Sequence, residues 1–562
     1  MSISSLHSVR YAYKPRFPAI LDEPVETVAM QKGEPTVSIA NEAELKPLFP
    51  HIYGKPVIHF VKGRAEIDKK PLRIAAILSG GQAPGGHNVI AGLYDGLKRA
   101  NKDSRLFGFL GGPEGLISGA SIEITEELID KYRNTGGFDL IGSGRTKIET
   151  PEQITAAAVT VKKMALNAVV IIGGDDSNTN AAVLAEYFLQ EGIATQIIGV
   201  PKTIDGDLKY DMVETSFGFD TATKIYANLI GNIARDANSA KKYWHFIKLM
   251  GRFASHITLE CALRTQPNVC LIAEEVAEKQ MTLNQISEII ADAVVKRAER
   301  KENFGVVLIP EGVIEFIPEV RQLIKELNAA MAQHTDEFNA LETFEEQKTW
   351  IEKHISSESA ALFASMPEDI SAEFLTDRDP HGNLQVSQIE TENILIGLVK
   401  KRLAGLKKEG RYNGKFSTQA HFFGYEGRAE FPSNFDTDYC YALGRTIFLL
   451  IANGLTGYMA SVYNLTAPPS EWKPCGIPLT KLMDMEVRSG KATPVIKKTV
   501  IDLTGQPFKT FAAERGRWAV ETAYIYPGPI QYFGPPELCD APPKTLLLEH
   551  GNKGIIPHAD HE

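Results

Sequence analysis

Residues 74–88 read IAAILSGGQAPGGHN, an apolar run followed by small and polar residues. The run 74–78 carries no polar side chain, which is typical of a strand buried on both faces of a parallel sheet. Beyond the small residues, Val89, Ile90 and Leu93 recur at helical spacing. This stretch therefore predicts a strand, a glycine-rich turn and a helix, in that order.

The same unit recurs along the chain. Helical patterns at 180–189 and 253–263 lie between further strand-like runs. Those runs are residues 168–172, 196–200, 244–249, 269–272 and 305–309. Strands that alternate with helices imply right-handed crossovers and a parallel sheet. We therefore predict an α/β fold with two Rossmann-like three-layer domains and parallel-rich sheets.

Changes in pattern along the chain predict the domain boundaries. Pro-rich, mixed patterning comes first, the β pattern stops after about residue 318, and mixed patterning returns near residue 385. The predicted segments are an N-terminal extension lying on the core (1–70), a first α/β domain (71–240), a second α/β domain (241–318, resuming at 385–475), a mainly helical insertion (319–384) and a C-terminal segment packing on the core (476–562).

Composition excludes several classes of protein. The chain has 562 residues, 43% of them apolar and 23% charged, and a formal net charge of -10. This composition predicts a compact multidomain protein without the basic stripe that nucleic acid requires. No run of about 18 apolar residues predicts a membrane span, and no signal-peptide pattern opens the chain. The five cysteines are scattered, so neither a disulfide framework nor a zinc site is expected. We expect a cytoplasmic protein.

The first two predicted strand ends carry residues suited to phosphate and metal. Gly80 and Gly81 would let the backbone approach a phosphate, although a glycine turn without a ligand fits equally well. Asp175 and Asp176 follow the strand at 168–172. Two adjacent carboxylates repel unless cations compensate, and Mg²⁺ prefers such oxygen ligands. The alternative is that Asp176 caps the next helix.

The third strand end is the stretch 201–207, PKTIDGD. It places Lys202 and two carboxylates, Asp205 and Asp207, directly beyond a strand. Phosphoryl transfer to an alcohol requires a base at the hydroxyl and a cation at the transferred group. This stretch can supply both.

The chain resembles the phosphofructokinase family. The hallmarks of that family are a Gly-Gly-Asp strand end, Thr-Ile-Asp-x-Asp and Met-Gly-Arg, which stand here in order at 173–175, 203–207 and 250–252. The resemblance runs from about residue 71 to 315 and returns near 420. Chain length and the helical insertion resemble the long pyrophosphate-dependent branch, which includes the catalytic subunit found in plants.

The resemblance implies roles for residues of the first α/β domain, which would bind pyrophosphate and Mg²⁺. Asp205 matches the general base that takes the proton of the 1-hydroxyl of fructose 6-phosphate, with Thr203 and Ile204 beside it in the substrate site. Asp175 matches the Mg²⁺ ligand. The residues implied to bind pyrophosphate are Gly80, Gly81 and Arg145.

The second α/β domain is implied to bind the sugar phosphate. The residues implied for that site are Met250, Gly251, Arg252, Glu311, Tyr425, Glu426, Gly427 and Arg428. The pair Lys242 and Tyr243 resembles residues that reach the sugar site of a neighbouring subunit. The resemblance therefore implies a homodimer or a higher homo-oligomer.

Two positions indicate the phosphoryl donor. Family members that use ATP carry glycine where Asp176 stands and usually where Lys202 stands. A carboxylate at 176 would fill the space of an α-phosphate and repel it, whereas Lys202 would place a cation where the leaving phosphate develops charge. The predicted reaction is reversible, Mg²⁺-dependent transfer from pyrophosphate to fructose 6-phosphate, in glycolysis and gluconeogenesis. The alternatives are an ATP-dependent enzyme and a non-catalytic regulatory subunit.

Overall fold

The computed structural model describes residues 3–366, 368–375, 389–488 and 491–552. These residues form two compact units. Unit 1 comprises the described residues of Met1–Ile225, Tyr425–Thr499 and Ile530–His550. Unit 2 comprises those of Tyr226–Gly424, Val500–Pro529 and Gly551–Glu562.

The described strands follow in chain order. They are β1 (Val28–Pro35), β2 (Pro56–Lys62), β3 (Arg73–Leu78), β4 (Arg105–Phe109), β5 (Ser121–Ile124), β6 (Ala168–Gly173), β7 (Gln196–Pro201), β8 (Trp244–Leu249), β9 (Val269–Cys270), β10 (Gly305–Pro310), β11 (Thr418–Phe423), β12 (Tyr458–Tyr463), β13 (Lys473–Pro478), β14 (Met483–Arg488) and β15 (Lys491–Ile496).

The described helices are α1 (Ser5–Tyr11), α2 (Glu42–Leu48), α3 (Gly86–Ala100), α4 (Pro113–Ser118), α5 (Glu126–Asp130), α6 (Pro151–Lys163), α7 (Asp175–Gln190), α8 (Phe219–Ala240), α9 (His256–Thr265), α10 (Ala273–Glu278), α11 (Leu283–Glu299), α12 (Val313–Phe316), α13 (Pro318–Gln333), α14 (Thr335–Asn339), α15 (Phe344–His354), α16 (Ser357–Ser365), α17 (Glu368–Glu373), α18 (Thr391–Lys408), α19 (Asn434–Ala452), α20 (Gln506–Val520), α21 (Pro536–Cys539) and α22 (Lys544–Glu549).

Unit 1 is built on a sheet whose described strands run in the order β1-β2-β13-β12-β7-β6-β3-β4-β5. The central run from β12 to β4 is parallel, and antiparallel strands complete both edges. The central strands are apolar and buried, as the continuous apolar runs predicted. The order β7-β6-β3 makes the three predicted strand ends neighbours at one edge of the sheet.

Unit 2 contains a parallel sheet with the described strand order β11-β8-β10-β9. Trp244 and Phe246 of β8 and Val307 and Ile309 of β10 are buried in its apolar core, which includes residues of α11, α13 and α18. With unit 1, this sheet confirms the predicted α/β class with parallel-rich sheets.

The structure corrects two of the predicted segments. The N-terminal extension does not merely lie on the core, because its strands β1 and β2 extend the sheet of unit 1 through β13. In the predicted return at 385–475, β11 joins the sheet of unit 2, whereas β12 and β13 belong to unit 1. The reason is the packing of α19 on α3, where Gly444 and Gly92 allow a close backbone approach.

The predicted helical insertion is helical where it is described, from α13 to α17. Residues 376–388, which include its predicted end and the start of the next predicted segment, lie outside the described residues, as do 489–490 and 553–562 of the predicted C-terminal segment. All five cysteines are free thiols. Among the described helices, none combines the length and hydropathy needed to cross a bilayer.

Candidate active site

The three strand ends of unit 1 are tied together by backbone hydrogen bonds. Ser79 N, after β3, donates to Ile172 O of β6 at 2.8 Å. Lys202 N, after β7, donates to Gly173 O at 3.0 Å. The glycine loop, the paired aspartates and the Lys202–Asp207 turn therefore stand side by side, at the sheet edge where ligands of open α/β sheets bind.

Lys202 is buried beneath the glycine loop. Its Nζ donates to Gly81 O at 2.8 Å, and a Cβ at Gly80 would lie only 3.4 Å from that Nζ. Burial and the nearby Arg428 lower the pKa of Lys202 to about 8, against the opposing effect of three aspartates. The ammonium is thus held at the loop that was predicted to contact the donor phosphates.

Each of the paired aspartates faces a lysine of its own. Lys498 Nζ lies 3.2 Å from Asp175 Oδ2, and Lys147 Nζ lies 3.5 Å from Asp176 Oδ2. The side chain of Asp175 is 18% exposed and that of Asp176 is 44% exposed. Gly174 is the N-cap of α7, so the alternative in which Asp176 caps this helix is wrong.

The Asp205–Asp207 turn lies next to these groups. Thr203 Oγ1 accepts a hydrogen bond from Asp205 N at 3.0 Å, and Gly206 has φ +75°, which favours glycine. Ile204, between Thr203 and Asp205 in the sequence, is buried. Burial and the charges of Asp205 and Asp175 raise the pKa of Asp207 to about 7, although Lys498 opposes the shift. Three carboxylates are therefore close enough to affect one another.

Arg428 lies against the glycine loop. It follows the short 3-10 turn Tyr425–Gly427, and its N donates to Tyr425 O at 3.0 Å. A Cβ at Gly81 would lie 1.9 Å from Arg428 Nη1, so any larger residue at 81 would require this guanidinium to move. Tyr425 and Glu426 are exposed and Gly427 is buried. The structure thus brings the arginine predicted for the sugar phosphate to the glycine loop, which was predicted to bind pyrophosphate.

The backbone next to Arg145 also supports the glycine loop. Gly80 N donates to Gly144 O at 2.9 Å, and Gly144 forms an isolated β-bridge with Ser79. The side chain of Arg145 is exposed. The segment that contains Arg145 therefore adjoins the glycine loop. Contact of the Arg145 side chain with pyrophosphate stays a prediction.

Unit 2 brings together its own predicted residues after β8 and β10. Glu311 is 2% exposed, and its Oε2 accepts a hydrogen bond from Gly251 N at 2.9 Å. Gly251 has φ +127°, and a Cβ at Gly312 would lie 1.8 Å from Arg252 O. Met250 is buried and Arg252 is exposed. The buried carboxylate thus fixes the turn that presents Arg252.

Lys242 and Tyr243 lie at the other end of β8. The strand has six residues, so about 20 Å separates the two ends. Tyr243 has φ +65°, and its carbonyl oxygen accepts a hydrogen bond from Gly305 N at 3.1 Å. Within one chain, the structure does not bring this pair to the turn at Met250–Arg252.

Sequence reasoning missed Lys498 and gave Lys147 no role. Lys498 follows β15, and Thr499 N next to it donates to Asp207 O at 2.8 Å. Although burial opposes the shift, Asp175 and Asp207 raise the pKa of Lys498. Nothing in the local pattern 497–499 distinguishes it from a solvated turn. Lys147 is the last residue of the glycine-containing stretch 142–147. Its position two residues after Arg145 was the one available signal.

Comparison with known proteins identifies the family. The model of the family described as Phosphofructokinase matches residues 73–353. The chain is 58% identical over 558 residues to the Pyrophosphate--fructose 6-phosphate 1-phosphotransferase of Treponema pallidum, covering 98% of this chain and 97% of that protein. The chain belongs to the phosphofructokinase family. The resemblance that the motifs carried is thereby confirmed.

Other phosphofructokinases extend this result. The subunit beta of the Pyrophosphate--fructose 6-phosphate 1-phosphotransferase of Solanum tuberosum is 50% identical over 551 residues, 98% of this chain and 94% of that protein. A crystal structure of a pyrophosphate-dependent phosphofructokinase from Marinobacter aquaeolei matches with a TM-score of 0.53 at 16% identity, covering 80% of this chain and 91% of that one. At that identity the likeness supports the phosphofructokinase fold alone.

Proposed function

We propose that this chain transfers a phosphoryl group reversibly between pyrophosphate and the 1-hydroxyl of fructose 6-phosphate, giving fructose 1,6-bisphosphate and phosphate. The observation that carries the proposal is the sheet edge of unit 1, where Lys202, Asp205 and Asp175 follow neighbouring strands. These are the cation, the base and the metal ligand that phosphoryl transfer requires. The relatives named above support the same reaction.

The donor is pyrophosphate because of Asp176 and Lys202. Asp176 stands in the first turn of α7, where its carboxylate takes the space and the charge of an α-phosphate. Lys147 supports that carboxylate from 3.5 Å. Lys202 holds a cation at the glycine loop, where the leaving phosphate gains charge.

The carboxylates fit a magnesium ion. Asp175, Asp205 and Asp207 offer hard oxygen ligands, and burial with the charges of Asp205 and Asp175 raises the pKa of Asp207, a shift that a bound cation would oppose. Asp175 is the proposed ligand, and Lys498 holds it in place. When bound, Mg²⁺ would neutralise charge on the phosphate oxygens and orient them for transfer.

The remaining steps belong to side chains of this chain. Asp205 accepts the proton of the 1-hydroxyl, and Thr203 Oγ1 fixes its backbone in position. Lys202 stabilises the departing phosphate. Arg428, placed at the glycine loop, binds phosphate oxygens with its planar guanidinium. Arg145 stays a proposed ligand of pyrophosphate.

We assign the sugar phosphate to Met250–Arg252 of unit 2, as the family resemblance implies, and the implied roles of Tyr425, Glu426, Gly427 and Arg428 stay proposals. Glu311 builds this site by holding Gly251 N, which supports the presentation of Arg252. Lys242 and Tyr243 lie at the far end of β8, and this position favours their proposed role in the site of a second copy. We therefore propose a homo-oligomer of at least two chains.

An assay of donor choice tests the proposed function. The purified chain is supplied with fructose 6-phosphate and either pyrophosphate or ATP, each with Mg²⁺. We expect turnover with pyrophosphate and little with ATP, and production of pyrophosphate from fructose 1,6-bisphosphate and phosphate in the reverse direction. Turnover with ATP alone would show the ATP-dependent alternative, and none with either donor would show a non-catalytic chain.

Variants at positions 176 and 202 test the donor assignment. Asp176→Gly should admit ATP and weaken catalysis with pyrophosphate, and adding Lys202→Gly should depress the pyrophosphate reaction further. Because both residues serve one phosphate site, their effects should be non-additive. An unchanged ratio of kcat/KM for ATP and pyrophosphate in folded Asp176→Gly would mean that donor choice is made elsewhere.

A further inference from the structure

The helical insertion of unit 2 contains two imidazoles and a carboxylate close together, in a segment that contributes none of the residues assigned to the reaction. His334 follows α13, Glu337 lies in α14 and His354 ends α15. One nitrogen or oxygen from each lies within 4.8 Å of the other two. His334 Nδ1 is 3.6 Å from Glu337 Oε2, and the centroids of the two imidazole rings are 5.0 Å apart.

Trp350 orients two of these three side chains. His354 Nδ1 lies 2.7 Å from Trp350 O, so a proton on Nδ1 is donated to that carbonyl and Nε2 keeps its lone pair. Trp350 Nε1 donates to Glu337 Oε1 at 2.8 Å, while Oε2 of the same carboxylate faces His334. The Trp350 ring also stacks on His354 with centroids 3.9 Å apart. Metal-binding imidazoles and carboxylates are commonly fixed by such neighbouring hydrogen bonds.

We propose that His334, Glu337 and His354 bind a divalent transition metal ion of the zinc class. Two imidazoles and one carboxylate suit Zn²⁺, whereas Mg²⁺ and Ca²⁺ prefer oxygen ligands alone. Ligand atoms around tetrahedral Zn²⁺ are about 3.4 Å apart, given bond lengths of about 2.1 Å. The side chains of His334 and Glu337 are 42% and 55% exposed, so small rotations could bring their ligand atoms to that spacing, and water could supply a fourth ligand.

The proposed ion would connect three helices of the insertion. Its ligands come from the end of α13, from α14 and from the end of α15, so binding would hold those ends together. Because the ion binds only the folded arrangement, it should raise the melting temperature of the chain. The insertion would thereby be stabilised by zinc, a role separate from phosphoryl transfer.

Zinc titration of the full chain tests the proposal. Metal-free protein is titrated with Zn²⁺ against a chromophoric chelator, with excess Mg²⁺ present to occupy the carboxylates of unit 1. We expect wild type to bind one more equivalent than His334→Gln or His354→Gln. Glu337→Gln keeps an acceptor for Trp350 Nε1 but loses the charge, and its affinity should fall at least tenfold. Equal stoichiometry in wild type and both histidine variants would overturn the proposal.

Two controls make the outcome specific. His51→Gln removes another exposed imidazole paired with a carboxylate, Glu186 of unit 1, and should leave the extra equivalent intact. Bound Co²⁺ should quench the fluorescence of wild type more than that of Trp350→Phe, which locates the ion. Unchanged melting of the metal-free histidine variants shows that they fold. Quenching that is the same in wild type and Trp350→Phe would place the ion elsewhere and overturn the assignment.

Discussion

The sheet edge of unit 1 and the turn of unit 2 are built in different ways. At the edge of unit 1, charged groups are buried close together: burial and the neighbouring aspartates raise the pKa of Asp207 to about 7, and burial and Arg428 lower that of Lys202 to about 8. In unit 2, the buried Glu311 accepts a hydrogen bond from the backbone of Gly251 and leaves the cation of Arg252 exposed. The first arrangement is suited to moving charge, and the second to holding a loop in one shape.

This contrast has an energetic meaning. Charged groups out of water are costly unless they are paired, so the lysines and aspartates of unit 1 are arranged to compensate one another. Substitution there should reduce turnover or donor binding by large factors. A backbone-supported turn loses less when its carboxylate becomes a neutral amide, because an acceptor remains. The following predictions test that ranking.

Asp205→Asn should show the largest effect. The amide keeps the shape but cannot accept a proton, and the loss of a general base typically costs about 10² to 10⁴-fold in rate. Steady-state kcat with saturating substrates measures it, and sugar-phosphate affinity should hardly change. Asp211→Asn, an exposed aspartate of the same loop, is the matched control. Near-wild-type kcat in folded Asp205→Asn would reject the assignment.

Lys202→Met should follow, with a loss of about 10² to 10³-fold in kcat, as for other preorganised donors. The lowered pKa also predicts a pH dependence. Lys202 is charged below a pH of about 8 and neutral above it, so kcat/KM for pyrophosphate should fall as pH rises through that value. Lys202→Arg should move this fall to higher pH, because guanidinium keeps its charge. A fall at the same pH in Lys202→Arg would assign it to another group.

Arg428→Ala tests whether the loop near Gly81 serves one substrate or both. A lost charge-assisted phosphate contact is worth about 1.5–3 kcal/mol, so KM for fructose 6-phosphate should rise at least tenfold. Because the guanidinium lies at the glycine loop, KM for pyrophosphate should rise as well, but by a smaller factor than KM for fructose 6-phosphate. Gly81→Ala should displace the guanidinium and add little to Arg428→Ala. If Arg428→Ala changed only KM for pyrophosphate, Arg428 would bind pyrophosphate and not fructose 6-phosphate.

Lys498→Met should raise KM for pyrophosphate about tenfold, because a cation that holds Asp175 is lost. KM for fructose 6-phosphate should change little, and Lys498→Arg should restore most of the affinity. Lys497→Met is the control, since its ammonium pairs with Asp484 at 2.6 Å. Equal effects of Lys497→Met and Lys498→Met would indicate a general effect of this segment on folding.

Glu311→Gln should have the smallest effect. The amide oxygen can still accept the hydrogen bond from Gly251 N, and loss of the charge weakens that bond by about 1 kcal/mol. KM for fructose 6-phosphate should rise by about fivefold, with kcat for saturated enzyme nearly unchanged. A loss as large as that of Asp205→Asn would mean that Glu311 takes part in the chemistry, and the contrast between the units would fail.

Much of this organisation follows from local sequence. The apolar runs at 74–78, 168–172 and 196–200 became buried central strands, and the residues directly after them form one edge. The pattern could not show that the predicted segment 385–475 would divide between two units. That division depends on α19 packing closely on α3, a contact between helices about 350 residues apart in sequence.

The sequence by itself determined the α/β class, the polar residues at the strand ends and the family, because periodicity and short motifs depend on neighbouring residues. Only the tertiary structure decided that Lys498 faces Asp175 and that Arg428 lies at Gly81. Each of these depends on how distant segments pack. Burial of apolar faces drives that packing, and the same local pattern is compatible with packing against different distant segments.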